Sequence, residues 1–384
     1  MILMYIILGL LLVNFVVYFG YPISIAVINK HARLVPHKFQ KSQSAFHIVP
    51  LFNEEKVIRK KIENCLQINF KINVKHVFVV DQSEDNTAKI VDEYASRYPN
   101  TILLSDKGYR KGKNDSINQA IKHCGPSTND LIFFSDANTM FESNAFDLLY
   151  EELSKGYGLV GGAMHYTDED SGSAKAEGLY WKYEEWIRSN EAKMARCIVV
   201  NGGNFVMLAQ HFKELPTFVP NDFEAPLRLC GENIPVGFCS EAKGYEPAVL
   251  DGDEESSRKR RMANRQMNCI KYLWNDLNML TKWHVSVRKV LRWSGYHIFL
   301  VTLFFGVAIN LISPNNLNEL IMWVSIFSLM IFVAVDILYR IGVKVKIISV
   351  IHHIVAVHSN SFRGMLSSIF GKKVSVWEKA ETNR

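Results

Sequence analysis

The sequence predicts an α/β domain tied to a membrane by apolar helices at both of its ends. Residues 47–136 alternate short apolar strands with amphipathic helices, the pattern of a mostly parallel sheet covered on both faces. Residues 2–28 hold no charged side chain, and two more apolar runs occupy 294–312 and 319–339. Hydrophobic residues are 48% and charged residues 21% of the 384, too apolar for a disordered chain and too charged for a protein that is all membrane. Six scattered cysteines without a C-x-x-C pair argue against a disulfide-stapled scaffold and a Cys-rich zinc site. The excess of 44 Lys+Arg over 38 Asp+Glu gathers beside the apolar runs, which points to a membrane surface and not to nucleic acid.

Residues 1–29 read as a transmembrane helix, since about 20 apolar residues cross the hydrocarbon core. The stretch lacks the positive n-region and small-residue cleavage site of a removed leader. Lys30, His31, Arg33 and Lys38 follow it, so the N-terminus is expected outside and the next domain in the cytosol.

Residues 44–275 form the soluble domain. His47–Pro50 is a short strand, and Glu54–Leu66 a helix with Asn53 as its N-cap. His76–Val80 is a strand ending at Asp81, Thr87–Tyr98 a helix, and Ile102–Leu104 a strand. Ser116–Lys122 is part of a helix, and Leu131–Phe134 a strand ending at Ser135-Asp136. Ligands of such sheets bind at the carboxyl ends of the strands, where Asp81 and Asp136 stand.

Residues 277–293 mix Trp283 and Trp293 with Lys282, Arg288, Lys289 and Arg292, a composition suited to an interfacial helix. Residues 294–341 read as a transmembrane hairpin turned by Ser313-Pro314-Asn315-Asn316, with Asp336 and Arg340 paired on one helix face. Residues 345–384 read as an interfacial or re-entrant helix over 347–361, followed by a cytosolic tail.

Several groups carry candidate chemistry. Asp136 and Asn138, alternating in extended chain, would offer two oxygens on one side for Mg²⁺ or Mn²⁺. The same residue types are common in strand-end turns. Asp81 could accept from a base or ribose, or cap the next helix, for which Asp85 and Asn86 are better placed. Gly112-Lys113 suits a phosphate-contacting turn into a helix, or a solvated basic loop. Asp222 reads as a general base or a carboxylate at a helix start. Arg258-Lys259-Arg260-Arg261 could grip a pyrophosphate or face a membrane. Residues 165–200, with Tyr180, Trp181, Tyr183 and Trp186, read as acceptor-side cover or as an amphipathic core helix.

In this order the features resemble the membrane-bound family-2 glycosyltransferases, such as cellulose, hyaluronan and poly-N-acetylglucosamine synthases and capsule enzymes. The resemblance covers about residues 44–300 and implies a GT-A-like nucleotide-sugar-binding domain. Pro50-Leu51-Phe52-Asn53-Glu54-Glu55 is similar to the opening P-x-[YF]-N-E-E motif, which implies donor contacts from Pro50, Asn53 and Glu54. Val80-Asp81-Gln82-Ser83-Glu84-Asp85-Asn86-Thr87 resembles D-D-x-S-x-D-x-T, with Val80 in place of the first Asp and Asp81 left to contact the base. Gly112 to Asn118 resembles G-K-x-x-x-x-N, which implies Lys113 toward the donor phosphates. Asp136-Ala137-Asn138 resembles the D-x-D metal motif with Asn in the last place. Asn201-Gly202-Gly203-Asn204 is similar to the small-residue stretch beside the acceptor, with Ala209-Gln210 where an Arg pair often follows. Asn221-Asp222 is similar to the acidic pair that holds the general base, with Asp222 retained. Arg258 to Met262 occupies the place of Q-x-x-R-W, which implies a pyrophosphate contact from Arg261 and puts Arg258 on the donor side and Met262 on the acceptor side. Trp377 and Arg384 resemble a W-x-x-x-x-x-R ending, with one more residue between them.

The resemblance implies an integral protein of the plasma or inner membrane with its catalytic domain cytosolic. It implies metal-dependent transfer, with Mg²⁺ or Mn²⁺, of a hexosyl or N-acetylhexosaminyl group from a nucleotide-sugar such as a UDP-sugar. The acceptor would be lipid-linked or a saccharide, with inversion at the anomeric carbon, in envelope or exopolysaccharide synthesis. A processive synthase is an alternative, and with three spans it would need an oligomer or an export partner. A non-catalytic scaffold of an export complex is a reading of another class, for which the departures at Val80, Asn138, Asn221 and Arg258 speak.

Overall fold

The computed structural model describes residues 2–28, 44–105, 110–167, 172–247, 252–343 and 345–374. Lys30, His31, Arg33, Lys38, Trp377 and Arg384 lie outside them, as do the side chains of Tyr180 and Trp181. Helix α1 (Ile2–Phe15) passes through one π-helical turn, Val16–Gly20, into α2 (Tyr21–Ile28). The soluble part then runs β1 (Ser44–Leu51), α3 (Ile58–Leu66), β2 (Asn73–Val80), α4 (Thr87–Ala95), β3 (Thr101–Ser105), α5 (Lys113–Cys124) and β4 (Leu131–Phe134). After it come β5 (Met140–Phe141), α6 (Ala145–Leu153), β6 (Leu159–Thr167), α7 (Gly172–Lys193) and β7 (Phe205–Leu208). The domain ends with α8 (Asn221–Gly231), β8 (Val236–Pro247) and α9 (Gly252–Leu273).

The strands form one sheet in the order β3-β2-β1-β4-β7-β6-β8-β5. The first four are parallel, as the alternation of strand and helix dictates. That alternation stops at β4, and the direction is no longer fixed. β7 runs antiparallel to both β4 and β6, β6 and β8 are parallel, and β5 closes the edge antiparallel to β8. The sheet is therefore mixed, and parallel where the candidate residues stand.

The centre of the sheet is buried on both faces. All four residues of β4, Leu-Ile-Phe-Phe, and all four of β7 are buried. Each such side chain contributes about 1.5–3 kcal/mol relative to exposure. Phe133 stacks on Phe146 of α6 at 4.0 Å, and Phe134 on Phe205 of β7 at 4.4 Å. Ile58, Ile62 and Cys65 of α3 and Val91 of α4 are buried, the apolar stripe expected of helices covering a sheet.

Three helices among the described residues are long and apolar enough to cross a membrane: Ile2–Ile28, Met279–Ile312 and Asn316–Arg340. The second corrects the sequence reading. No break separates an interfacial helix at 277–293 from the hairpin, because α10 (Met279–Val285) continues through a π-helical turn, Ser286–Leu291, into α11 (Arg292–Ile312). Two basic residues of that stretch, Arg288 and Arg292, also face inward. Arg288 is buried and bonds Glu184 and Glu191 of α7 at 2.7 and 2.8 Å, and Arg292 pairs with Glu184 at 2.5 Å. Carboxylates far back in the chain, not headgroups, set their direction. The turn before α12 (Asn316–Arg340) is capped by Asn315, and Arg340 pairs with Asp336 at 2.7 Å. Helix α13 (Lys346–Ile369) extends past the 347–361 segment and packs along α9, with Gly364 against the carbonyl of Arg260.

Candidate active site

An open cavity, with about 540 Å³ of empty space when the solvent at its mouth is included, lies at the carboxyl ends of β1, β2 and β4. Its lining includes Pro50, Glu54, Asp81, Lys113, Asp136 and Asn138. Three loops build it, and hydrogen bonds between them fix its shape.

The loops after β1 and β2 are joined. Asn53 takes a left-handed φ of 53°, its N–H donates to Ser83 Oγ at 2.9 Å, and its Oδ1 accepts from the N–H of Glu84 at 2.8 Å. Asn53 is thus neither the cap of α3, which begins at Ile58, nor part of the cavity lining. Its side-chain oxygen holds one loop to the other. Asp85 Oδ1 accepts from the N–H of Thr87 at 3.0 Å and caps α4, while its Oδ2 accepts from the N–H of Glu55 at 3.1 Å.

The third loop is tied to Asp81, whose carboxylate accepts from the N–H groups of Lys111 and Gly112 at 2.9 and 2.7 Å. Gly112 sits at φ 95°, a conformation open to glycine and costly for other residues. That turn aims the start of α5 at the cavity, where its N–H groups favour an anion. Lys113, the first residue of α5, bonds Asp136 Oδ1. Arg110 also lines the cavity, with its guanidinium 3.5 Å from the centre of the Phe52 ring.

Asp136 and Asn138 lie in a turn between β4 and β5 and not in extended chain, so strand alternation does not orient them. Both line the cavity all the same. Thr139 ends this turn and donates from Oγ1 to Glu246 Oε1 of β8 at 2.5 Å. Burial pushes the Glu246 carboxyl up, and the charge of Asp136 adds to the rise. Asp136 and Asn138 can each offer a side-chain oxygen to the cavity. Such a set fits Mg²⁺ or Mn²⁺ and not a soft metal.

Asp222 is the second residue of α8. Burial pushes its carboxyl up, Lys113 and Arg265 oppose this, and Asp136 reinforces it, so it lies within the field of the Lys113–Asp136 pair. The Gly202-Gly203 turn fills the space between. A Cβ at Gly202 would stand 3.3 Å from Asp222 Oδ2, and one at Gly203 would stand 2.8 Å from Glu246 Oε1. Asn204 does not face this space. It is fully buried, and its amide donates to the carbonyls of Ala163 and Ala242 at 2.8 and 2.9 Å, pinning β6 to β8.

Arg258, Arg261 and Met262 of α9 are outside the cavity lining. Arg258 pairs with Glu255 at 3.3 Å and also bonds Tyr166, close enough to Glu246 to lower its pKa. The α9 cation that faces Asp222 is Arg265, one turn beyond Arg261, and its guanidinium donates to the carbonyl of Val219 at 2.6 Å. Sequence reasoning missed Arg265, Glu246 and Arg110. Arg110 carried a signal, since it belongs to the basic loop before α5, whereas Glu246 and Arg265 carried none. The described side chains of helix α7 serve more as core than as cover. Glu184, Arg188, Asn190 and Glu191 are buried, while Trp186 is exposed.

This arrangement is that of a sugar-nucleotide fold, and the comparisons agree. Residues 47–215 match the family model described as Glycosyl transferase family 2, and this part of the chain is a family-2 glycosyltransferase domain. The minor teichoic acid biosynthesis protein GgaA of Bacillus subtilis is 28% identical over 143 residues, 35% of this chain and 31% of that protein. A dolichyl-phosphate beta-glucosyltransferase of Trichomonas vaginalis is 33% identical over 117 residues, 28% of this chain and 34% of that protein. The chain thus spans about a third of the length of these curated relatives. In structure it is similar to a mannosyltransferase from Pyrobaculum calidifontis, solved in complex with GDP-Man and Mn²⁺. The TM-score is 0.66 at 15% identity, covering 97% of this chain and 100% of that one, a likeness of fold.

Proposed function

We propose that the chain is an inverting glycosyltransferase that moves a hexosyl or N-acetylhexosaminyl group from a nucleotide-sugar to a lipid-linked or saccharide acceptor at the cytosolic face of a membrane. One observation carries the reading. A cation–carboxylate pair, Lys113 and Asp136, and a separate carboxylate of raised pKa, Asp222, share one electrostatic site at the carboxyl edge of the parallel strands. The Pyrobaculum mannosyltransferase that shares the fold was solved with GDP-Man and Mn²⁺, which supports a nucleotide-sugar donor and a divalent cation.

The nucleoside would occupy the side formed by Pro50, Glu54 and Asp81, and the diphosphate the side of Lys113 and the α5 N-terminus. A divalent cation at Asp136 and Asn138 would supply charge neutralisation for that diphosphate. Asp222 takes the proton of an acceptor hydroxyl. The freed oxygen bonds to the anomeric carbon from the far side while the bond from that carbon to the diphosphate oxygen breaks. The leaving electron pair stays on the diphosphate, where the charge of Lys113 meets it. The three apolar helices hold the site at the bilayer, where an acceptor on a lipid would be presented.

The test is nucleotide diphosphate release by the full chain in lipid, from UDP- and GDP-sugars, with Mn²⁺ and a membrane extract as acceptor. Release from one donor that is lost in Asp222→Asn supports the reading. No release from any donor, with the wild-type chain folded, overturns it in favour of a scaffold role.

A further inference from the structure

Outside the cavity, two buried polar side chains reach the turn that carries Asp136 and Asn138, one at each end. Lys61 of α3 is fully buried. Its Nζ donates to the carbonyl of Thr139 at 2.5 Å and lies 4.6 Å from the centre of the Phe141 ring. No carboxylate among the described residues lies within ion-pair distance of it, although the fields of Asp136 and Glu246 reach it. A lysine is almost never buried so fully without a pairing partner. His47 of β1 is also fully buried, and its Nε2 is 2.8 Å from Ser135 Oγ. Its Nδ1 is 3.0 Å from Nδ1 of His76, its register partner on β2, so the imidazole is held from both sides.

His47, His76 and Cys65 also lie close enough together to suggest a metal centre. The surroundings disfavour one. His47 Nε2 is engaged by Ser135, and the field of the Lys61 ammonium reaches His47, Cys65 and His76 alike, so a cation there would face a buried positive charge. The group reads instead as part of a support.

We propose that Lys61 and His47 are positioning residues for the cation-holding turn. Lys61 pins the carbonyl of Thr139 and His47 pins the hydroxyl of Ser135, which leaves Asp136, Ala137 and Asn138 between two fixed points. Neither touches the donor. Both act through the orientation of the Asp136 and Asn138 oxygens. A core lysine at this cost in desolvation is accounted for if the turn must be preorganised before the diphosphate arrives. The inference rests on the reading of Asp136 and Asn138 as the cation site.

The experiment uses the full chain in lipid and reads binding apart from turnover. Mn²⁺ is titrated with UDP or GDP present, free Mn²⁺ is followed by its electron paramagnetic resonance signal, and donor turnover is measured in parallel. Lys61→Met removes the donor at constant length, and Lys61→Arg restores one. Ser135→Ala removes only the hydroxyl that His47 holds, and it keeps the test open should Lys61→Met fail to fold. Loss of such a supporting contact weakens metal affinity about 10–100-fold. That loss is expected in Lys61→Met and Ser135→Ala, with recovery in Lys61→Arg and with nucleotide binding in the absence of Mn²⁺ unchanged. Wild-type Mn²⁺ affinity in folded Lys61→Met or Ser135→Ala overturns the positioning role alone. Failure of the wild-type chain to bind Mn²⁺ with either nucleotide overturns the cation site and the positioning role together.

Discussion

Lys113 Nζ donates to Asp136 Oδ1, which ties the first residue of α5 to the turn after β4. In the proposed reading the pair brings the phosphate side and the cation side of the cavity to one point. Replacing Lys113 by Met leaves Asp136 without its partner and the leaving diphosphate without a preorganised charge. Removal of one such stabilising group costs about 10²–10³-fold in kcat. That loss is expected in Lys113→Met, with partial recovery in Lys113→Arg. Steady-state nucleotide release reads both, and an unchanged kcat in Lys113→Met would remove Lys113 from the reaction.

Asp222 has to be ionised to act as a base. Burial raises its pKa, so the acid limb of the kcat/KM profile should lie above the ordinary aspartate range, with activity lost as pH falls through it. Asp222→Asn should lower turnover by about 10²–10⁴-fold while donor binding persists. Lys113 is the first of the cations that hold this pKa down. The residual activity of Lys113→Met should therefore show its acid limb at higher pH than the wild type. A limb that stays in place would show that Asp222 is not the group being titrated.

The contrast between these residues and their supports explains how far the sequence could be read. The places of Asp81 and Asp136 were legible because a strand–loop–helix alternation puts the residue after each strand at the carboxyl edge of the sheet, and that of Lys113 because the loop into α5 opens at the same edge. Asn53 and Asn204 were misplaced because amide side chains follow whichever backbone groups are left unpaired, and only the loop and strand packing decides that. Glu246 comes from β8, beyond the point where alternation fixes direction. His47 and Lys61 read locally as strand and helix residues, and the contacts that give them meaning lie 88 and 78 residues away. Arg288 read as a headgroup cation because Glu191 and Glu184 stand 97 and 104 residues back in the chain.

The two adjacent glycines between Asp222 and Glu246 should respond differently to the same substitution. A Cβ at Gly203 would overlap Thr139 Oγ1 and approach Glu246 Oε1 to 2.8 Å and Met164 Cε to 3.1 Å. Overpacking of this kind costs about 1–3 kcal/mol. Gly203→Ala is expected to lower the unfolding midpoint and to break the Thr139–Glu246 hydrogen bond. The three atoms nearest to a Cβ at Gly202 all belong to Asp222, the closest at 3.3 Å. Gly202→Ala should leave stability near that of wild type and act on turnover through Asp222. Thermal unfolding set beside nucleotide release separates the two. Equal destabilisation by both would contradict this packing.

Arg288 joins three parts of the chain. Its guanidinium reaches Glu184 and Glu191 of α7 from the Met279–Ile312 helix, and Tyr21 of the first apolar helix donates to Glu191 at 2.6 Å. Burial pushes both carboxyls up, but Arg288 beside them overrides it and holds Glu184 well below the usual range and Glu191 at about 2. Folded pKa values below the unfolded ones mean that this stability is fully present above about pH 4.5 and is lost as pH falls toward 2. The two carboxylates themselves should therefore add no pH dependence between about pH 6 and 9. Breaking a buried pair from one side leaves an uncompensated charge and costs about 3–5 kcal/mol. Arg288→Met should lower the unfolding midpoint sharply, and adding Glu191→Gln should recover part of it by removing a carboxylate that has lost its guanidinium, whereas Glu184 keeps Arg292. Thermal unfolding in detergent at neutral pH reads all of these variants. A midpoint unchanged in Arg288→Met would mean that water, not Arg288, compensates the two glutamates.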